Sequence, residues 1–535
     1  MLKNNHIHKI NTIFSGNSNA FMKKAFIAFL TIFVFSFQLY AQEPVSFPRS
    51  NPEAEGVLSS GIISFLDAVA NSKHEFHSFM MLRHGKVIAE GWWYPYRPDL
   101  KHTLYSTSKS FTATAVGFAV AEKKCTVNDK VITFFPDDLP ETIDPYLSEL
   151  RVKDLLSMSV GHQTDPTGEV ASKNENWVRA FLTTPIVHEP GTRFLYNSVA
   201  TYMLSAIVQK VTGERIVGYL KPRLFDPLGI YGMDWETDPR GINTGGWGLR
   251  LKTEDMAKFG QLFLQKGVWQ GKQILPSAWI EEATTIKIEQ DPDAPQAKKD
   301  ASDWLQGYCY QMWRSRHNSY RADGAYGQFI IIMPDQDAVV AITCETSDMQ
   351  SELNLVWEYI LPSIRSETLP VDPDMLRRMK EKLASLALPL VKAGISPLEA
   401  KVSDKTYAIT STQEGLNEIG LKFKKDICYL TLKTGSKTHQ FGFGAGKWQE
   451  GETTRYGPYL VSSFKGNRVG LPPFKVAGSY TWEDETTLEL ILRYIESPHS
   501  EKIICRFDEG QVVVEIESSF NRSGAKNTFK GVLQK

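Results

Sequence analysis

The segment Thr107–Glu122 constrains the fold more strongly than any other part of the 535-residue chain. It is rich in Ala, Phe and Val and carries few charges. A helix of this composition is buried nearly all round, so strands and other helices have to surround it. The sequence therefore predicts a buried helix here and not a surface helix.

Helical and strand patterns alternate around this segment, from Phe47 to about Ser366. Phe79–Glu90 is predicted to be a hairpin, because two apolar runs flank the turn at His84-Gly85. Further helices are predicted at Val199–Val211 and Glu254–Gln265, and further strands at Tyr308–Trp313, Phe329–Met333 and Ala338–Thr343. Such a mixture favours an α+β or three-layer arrangement.

The pattern changes twice beyond residue 365. Residues 366–405 read as a linker with one amphipathic helix, Asp374–Ala387, punctuated by prolines. In residues 406–535 apolar side chains recur at every second position, as at Ile419, Leu421 and Phe423. This period predicts an antiparallel sandwich or barrel of about eight strands. Residues 42–365 are then the first domain and residues 406–535 a β-rich C-terminal domain.

Composition excludes several classes of protein. Lys and Arg number 60 against 61 Asp and Glu, and hydrophobic residues make up 42% of the chain. These values exclude a disordered chain and a polytopic membrane protein. A net charge of −1 also argues against a nucleic-acid partner, which requires a basic face.

The N-terminal residues 1–41 are predicted to be a leader that is removed. Met22-Lys23-Lys24 precedes the apolar run Ala25–Phe37, and Ala41 is a suitable cleavage residue. Met22 is the expected start of translation. The apolar run is shorter than the ~20 residues that span a bilayer. We therefore expect a signal peptide, a periplasmic or secreted protein, and no membrane association after cleavage.

Neither the cysteines nor the histidines predict a metal site. The five cysteines have no zinc-like spacing, although Cys428 and Cys505 lie in one domain and have the option of pairing. His74 and His77 are three residues apart, which would place them on one face of a helix, but no third ligand is evident. The sequence predicts no metal and no other cofactor.

Ser106-Thr107-Ser108-Lys109 is the first candidate for catalysis, because it opens the apolar helix. Residues three apart on a helix share a face, and the helix start offers free amides to a developing negative charge. Lys109 can accept the Ser106 proton only if burial depresses its pKa from about 10.4. The alternative is an N-cap serine beside a lysine that reaches solvent.

Two later segments add to this motif. Pro190–Ser198 runs from a turn into a helix, and Asp323–Phe329 runs from a Gly-rich turn into a strand. In this order the three segments resemble the serine β-lactamase and penicillin-binding protein superfamily, in particular its class C-like branch of D-amino-acid peptidases, family VIII esterases and nylon-oligomer hydrolases. Further similar segments are Leu150–His162, Phe225–Ile230 and Thr253–Gly260. The resemblance covers about residues 50–360.

The resemblance implies a role for each matching residue. Ser106 would be the nucleophile, and Lys109 and Tyr196 would be general base and acid, with the choice of acylation base left open. The backbone amides of Ser106 and Ala325 would form the oxyanion hole. Gly324 would let its strand approach the substrate closely.

Two positions depart from the family pattern. Ser198 stands where an Asn normally contacts a substrate amide, and Ala322 stands where a cation or imidazole helps to bind a substrate carboxylate. Both belong to the predicted substrate-binding set. Arg321, or Arg316 with His317, has the option of restoring the charge. The departures favour esters or small linear amides over penicillins and muropeptides.

The resemblance implies a β-lactamase-like antiparallel sheet flanked by helices, with an all-helical subdomain, followed by a small lipocalin-like barrel. We expect an exported serine hydrolase acting through an acyl-enzyme on a small ester, amide or peptide. The alternatives are a D-amino-acid peptidase, a β-lactamase, and a binding or sensor protein without turnover. The charged stretch Gln290–Asp303 is expected near the mouth of the cleft, and the oligomeric state is left open.

Overall fold

The computed structural model describes residues 46–173, 175–390, 392–410, 415–461, 464, 471, 473–520 and 526–534. The predicted signal peptide at residues 1–41, with the expected start at Met22, lies outside these residues. None of the helices within the described ranges is long and apolar enough to cross a membrane.

Six antiparallel strands form the central sheet of residues 47–365, which we call the sheet domain. They are β1 (Glu75–Arg83), β2 (Lys86–Trp92), β3 (Trp313–Arg314), β4 (Tyr320–Gly324), β5 (Gln328–Met333) and β6 (Ala338–Glu345). The spatial order is β2-β1-β6-β5-β4-β3. The predicted hairpin is confirmed as β1 and β2, which pair across the turn at His84-Gly85.

Five longer helices accompany the strands. They are α1 (Ser59–Ala70), α2 (Ser108–Ala121), α3 (Ser198–Thr212), α4 (Thr253–Leu264) and α5 (Pro373–Ala384). Shorter helices lie at Pro145–Glu149, Val152–Leu156, Thr167–Lys173, Trp177–Leu182, Ile216–Leu220, Ser277–Thr284, Gln296–Ala301, Met349–Leu355 and Glu399–Val402. The helices predicted at Val199–Val211 and Glu254–Gln265 are α3 and α4.

The sheet is covered by helices on both faces, which explains the continuous apolar run in β5. Phe329 and Ile331 pack into a cluster that includes residues of α1. On the opposite face, Gly260 of α4 lies so close that an added Cβ would be 2.8 Å from the Ile330 side chain. Alternate residues of a strand point to opposite faces, so both sets must be apolar.

Helix α2 has the all-round burial that its composition predicts. Every residue from Ser108 to Ala119 is buried. The helix packs against α3, and α3 in turn contacts the short helices Val152–Leu156 and Trp177–Leu182. These helices form the helical subdomain, and the first turn of α2 lies beside strand β4 of the sheet.

The strand predicted at Tyr308–Trp313 is wrong for most of its length. Gln311 has a φ of +58°, and the Cys309 amide donates to the Met312 carbonyl at 2.9 Å, so the chain turns here. Only Trp313–Arg314 joins the sheet, as β3. The alternation of bulky apolar residues in this segment comes from packing of a turn, not from an extended strand.

Helix α5 is attached to the sheet domain. It contacts α1 and β2, and Met379 is buried in the same cluster as the sheet core. Asp372 caps its start by accepting from the amides of Asp374 and Met375. The predicted helix in the linker is therefore confirmed, with its last turn shorter than the pattern suggested.

The C-terminal strands form a closed barrel. They are β7 (Lys405–Ile409), β8 (Leu416–Lys424), β9 (Ile427–Thr434), β10 (Lys437–Ala445), β11 (Gln449–Thr453), β12 (Phe474–Trp482), β13 (Thr487–Tyr494), β14 (Ser500–Asp508), β15 (Gln511–Ser518) and β16 (Asn527–Leu533). Nine of them close the barrel through a parallel pairing of β10 with β12, and β11 pairs only with β12 outside that closure. The closure was not predictable from turn spacing, because the two strands are not neighbours in the chain.

The barrel interior is filled by side chains. Leu430, Phe443, Leu490 and Ile503 belong to one buried apolar cluster. Cys428 and Cys505 are part of that cluster, and both are free thiols, as are the other three cysteines. A filled interior of this kind stabilises the barrel.

Residues 47–535 form one compact unit, and polar contacts join the barrel to the sheet domain. Arg493 of β13 makes a two-pronged ion pair with Glu75 of β1, in which Nη2 lies 2.9 Å from Oε2. The Thr103 amide donates to the Glu496 carbonyl at 3.0 Å. Thr103 closely precedes α2 in the chain, so the barrel is docked beside the start of that helix.

The two histidines considered as metal ligands are not on a helix. His74 bonds Thr346, and His77 lies on β1 with its Nδ1 3.1 Å from His102 Nε2. Among the described residues, no group of three His, Cys, Asp or Glu side chains is placed to hold a metal ion.

Candidate active site

Ser106 is more exposed to solvent than the residues on either side of it in the chain. It lies in a single 3-10 turn, Tyr105–Thr107, that leads into α2. Within residues 102–119 every residue is buried except Ser106, which is half-buried. The hydroxyl is therefore the polar group that this otherwise buried segment presents outward.

Lys109 lies one turn further on and is almost fully buried, with 1% of its surface exposed. Its Nζ lies 3.2 Å from Ser106 Oγ, 2.9 Å from Ser198 Oγ and 2.7 Å from the Gly246 carbonyl. All three partners are uncharged oxygens. Burial lowers the pKa of Lys109 from 10.5 to about 7, against the opposing effect of the more distant Asp165 and Asp323. Lys109 therefore does not reach solvent, so the alternative reading of the motif is wrong on this point.

Tyr196 lies against both residues. Its ring centroid is 5.0 Å from Lys109 Nζ. Burial raises the pKa of the Tyr196 phenol above its usual range, and a hydrogen bond with Ser106 opposes this only in part. The ring stacks on Trp313 at 5.6 Å and meets Tyr308 edge-on at 6.3 Å. A phenol in this environment keeps its proton.

The N-cap of α3 fixes the position of the tyrosine. Asn197 accepts from the Ala200 amide at 3.1 Å, and its own amide nitrogen lies 3.0 Å from His162 Nδ1. Ser198, the first residue of α3, therefore starts beside Lys109. In this structure Ser198 completes the polar surroundings of the lysine, a contact that the comparison with Asn did not suggest.

Strand β4 ends against the turn that carries Ser106. A Cβ added to Gly324 would lie 2.2 Å from the Leu104 carbonyl and 2.9 Å from Thr107 Oγ1, so only glycine permits this approach. The Thr107 hydroxyl donates to the Gln328 carbonyl at 2.8 Å and ties the two segments together. Ala325 follows Gly324 directly in the turn between β4 and β5.

Ala322 lies within β4, where it is fully buried and pairs with Ile330. It presents no surface of its own. Arg321 and Arg316, the two arginines considered as a replacement for the missing charge, both form ion pairs with carboxylates. Arg321 Nη2 lies 2.9 Å from Asp323, and Arg316 Nη2 lies 2.9 Å from Asp303.

The structure thus brings together Ser106, Lys109, Tyr196, Ser198 and Gly324. The sequence did not predict the Gly246 carbonyl, which makes the shortest of the three hydrogen bonds of Lys109. Backbone carbonyls carry no residue-type signal, so no motif identifies such a partner. Ile288 forms a bridge with Tyr308, which meets Tyr196 edge-on, and the position of Gln290–Asp303 at the mouth of the cleft stays a prediction.

The sequence profile of the Beta-lactamase family matches residues 77–361, more than half of the chain. The chain therefore belongs to the β-lactamase family and is a hydrolase.

Individual relatives are more distant. Over 283 residues the chain is 27% identical to the 6-aminohexanoate-dimer hydrolase of Paenarthrobacter ureafaciens. This alignment covers 49% of this chain and 71% of that protein. Over 164 residues it is 26% identical to protein flp of Staphylococcus aureus, covering 28% of this chain and 33% of that protein. The octameric penicillin-binding protein homologue from Pyrococcus abyssi, a solved structure, gives a TM-score of 0.45 with 17% identity, over 89% of this chain and 99% of that chain.

Proposed function

We propose that this hydrolase cleaves a carboxylic ester or small amide through an acyl-enzyme on Ser106. One observation carries the proposal. The hydroxyl that residues 102–119 present outward lies 3.2 Å from a buried lysine whose pKa is about 7. Such a lysine is neutral in about half of the molecules at pH 7, and a neutral amine can accept the hydroxyl proton.

The proton transfers follow from these positions. As Ser106 Oγ bonds to the substrate carbonyl carbon, its proton passes to Lys109 Nζ. The tetrahedral adduct then expels the alcohol or amine, which takes up the proton held by Lys109 through Tyr196, and leaves an ester on Ser106. Attack by water releases the acid and restores the serine hydroxyl. The Ser106 and Ala325 amides are assigned to the developing oxyanion.

Tyr196 is assigned the role of acid. Its raised pKa makes the phenolate costly, so Lys109 is the better base for acylation. A protonated phenol beside the nucleophile is suited to relay a proton from the Lys109 ammonium to the leaving group, so that no free phenolate forms. We therefore assign Lys109 as the acylation base and Tyr196 as the acid, with both groups on one proton path.

The substrate class follows from charge. Arg321 and Arg316 are neutralised by Asp323 and Asp303, so neither is a free partner for a substrate carboxylate. This disfavours β-lactams and peptides ending in D-alanine, both of which carry that carboxylate. An uncharged ester or a linear amide has no such requirement, and we rank these substrates first.

The test is steady-state hydrolysis of p-nitrophenyl butyrate by the chain from Gln42 onward. Nitrocefin and the 6-aminohexanoate dimer, the substrate in the name of one relative, are assayed in parallel. We expect ester turnover that Ser106→Ala abolishes and that Tyr196→Phe reduces mainly in kcat. Little nitrocefin hydrolysis is expected.

Mass spectrometry of the protein after mixing with the ester identifies the adduct. An acyl group on the Ser106 peptide supports the mechanism, and an unchanged rate in Ser106→Ala contradicts it. An adduct that forms but does not turn over favours the sensor alternative. Rapid nitrocefin hydrolysis would refute the charge argument and leave the nucleophile in place.

A further inference from the structure

The two turns that frame the proposed oxyanion hole share an unusual backbone conformation. Tyr105 precedes Ser106 and has a φ of +47°, and Tyr326 follows Ala325 and has a φ of +65°. For residues other than glycine this left-handed region costs about 1–2 kcal/mol each. Such conformations persist only where the surroundings hold them in place.

The C-terminal barrel supplies the group that holds Tyr105. The Tyr105 hydroxyl lies 2.6 Å from Nε2 of His499, a fully buried residue directly before strand β14. Its ring stacks on Tyr459 at 5.2 Å, and its oxygen accepts from the Leu460 amide at 3.3 Å. All of these partners lie more than 350 residues away in the chain.

His499 is in contact with the second turn as well. Its ring meets the Tyr326 ring edge-on, with centroids 4.8 Å apart. One buried imidazole therefore contacts the residue before Ser106 and the residue after Ala325. Ser106 and Ala325, the chain neighbours of these two tyrosines, are the residues whose amides are assigned to the oxyanion.

The sheet domain fixes the orientation of that imidazole. His499 Nδ1 lies 2.6 Å from Glu345 Oε1, at the end of β6, and Ser519 donates to the same oxygen at 2.7 Å. Burial raises the pKa of the Tyr105 phenol, which keeps its proton. The hydrogen bonds are then Tyr105 O–H to Nε2 and Nδ1–H to the Glu345 carboxylate, which requires the Nδ1–H tautomer.

We propose that His499, held by Glu345, is a positioning residue for the hydrolase reaction: it sets the Ser106 and Ala325 turns through Tyr105 and Tyr326. The barrel then contributes a residue that the geometry of the active site depends on. His499 touches no reacting atom, and its contribution is to keep the nucleophile and the oxyanion amides in register. The inference rests on the proposed role of Ser106.

The test uses four variants of the full chain: His499→Ala, His499→Gln, Tyr105→Phe and the double variant Tyr105→Phe/His499→Ala. We expect His499→Ala to lower kcat for the ester about 10- to 100-fold with KM changed less than twofold, since small displacements at a reacting centre have effects of that order. His499→Gln should recover part of the loss, because its amide can still accept from Tyr105. The double variant should be no slower than His499→Ala alone.

The matched control is Glu450→Gln. It removes the exposed ion pair between Arg97 and Glu450, another contact between barrel and sheet domain, and should leave kcat unchanged. Wild-type kcat in a His499→Ala protein of unchanged melting temperature would overturn the proposal, as would additive losses in the double variant. If His499→Ala unfolds, Tyr105→Phe decides, because it removes only the hydroxyl.

The rate of Ser106 acylation, followed by mass spectrometry, separates this inference from the proposed function. A wild-type protein that acylates on Ser106 while His499→Ala and Tyr105→Phe acylate equally fast refutes the positioning role alone. A wild-type protein that never acylates on Ser106 refutes the proposed function, and the positioning role with it.

Discussion

The pH dependence of ester hydrolysis tests the assignment of Lys109 as the base. Burial lowers the pKa of Lys109 from 10.5 to about 7, which corresponds to about 5 kcal/mol at about 1.4 kcal/mol for each tenfold step. Because only the neutral amine accepts a proton, kcat/KM should be half-maximal near pH 7, reach a plateau at higher pH, and fall tenfold per pH unit well below 7. At pH 5 the value should be about 100-fold below the plateau.

The assay is kcat/KM for p-nitrophenyl butyrate between pH 4.5 and 9, corrected for spontaneous hydrolysis. Asp165→Asn is the matched perturbation, because the Asp165 charge raises the pKa of Lys109 while the amide oxygen can still accept from the Thr167 amide. Removing that charge should move the acidic limb to lower pH. The buried His162 has its pKa lowered to about 4, so it cannot produce a limb at 7.

Unfolding provides a readout that is independent of turnover. Between pH 7 and 9 the unfolded chain holds a proton on Lys109 that the folded chain lacks, so folding stability gains from rising pH. The free energy of unfolding of the wild type, relative to Lys109→Met, should rise by about 1.4 kcal/mol per pH unit in this window. A rate profile that stays flat down to pH 5, or a stability difference independent of pH, would refute a buried neutral lysine.

Two further perturbations follow from packing. Gly324→Ala should abolish most activity and lower the melting temperature, because its Cβ would lie 2.2 Å from a backbone oxygen. Gly168→Ala, where a Cβ meets no atom within 4 Å, is the control, and equal behaviour of the two would contradict the close approach. Cys428 and Cys505 are buried free thiols, so they should react with a thiol reagent only on unfolding. A native mass two daltons below the reduced value would contradict this.

Much of the site was predictable because its signals are local in sequence. Ser106 and Lys109 are one helical turn apart, and the apolar helix around them already requires that the lysine be buried. Gly324 was indicated by the resemblance to the third motif of the family. The hairpin, α3 and α4 follow from periodicity, since each buries a face against the sheet or helix beside it.

The features that the sequence did not predict depend mainly on contacts between residues far apart in the chain. The contact of Tyr105 with His499 joins residues 394 positions apart, and the barrel closes through strands that are not sequential. Neither contact produces a periodic pattern in the sequence. Gly246 acts through its carbonyl, which every residue type possesses. At Tyr308–Trp313 the apolar spacing suited a strand, and a left-handed residue at Gln311 prevented it.

The ion pair between Arg493 and Glu75 bears on how such a two-part chain can evolve. Arg493 is buried, and separating the barrel from the sheet domain would leave both charges without their partner. Glu75 keeps 31% of its side chain exposed, so losing its cation costs less than the ~3–5 kcal/mol of a fully buried pair. A replaced barrel would still have to supply a new cation opposite Glu75. A recombined chain carrying another barrel would have to replace these contacts together, so the two halves are expected to be inherited as one unit.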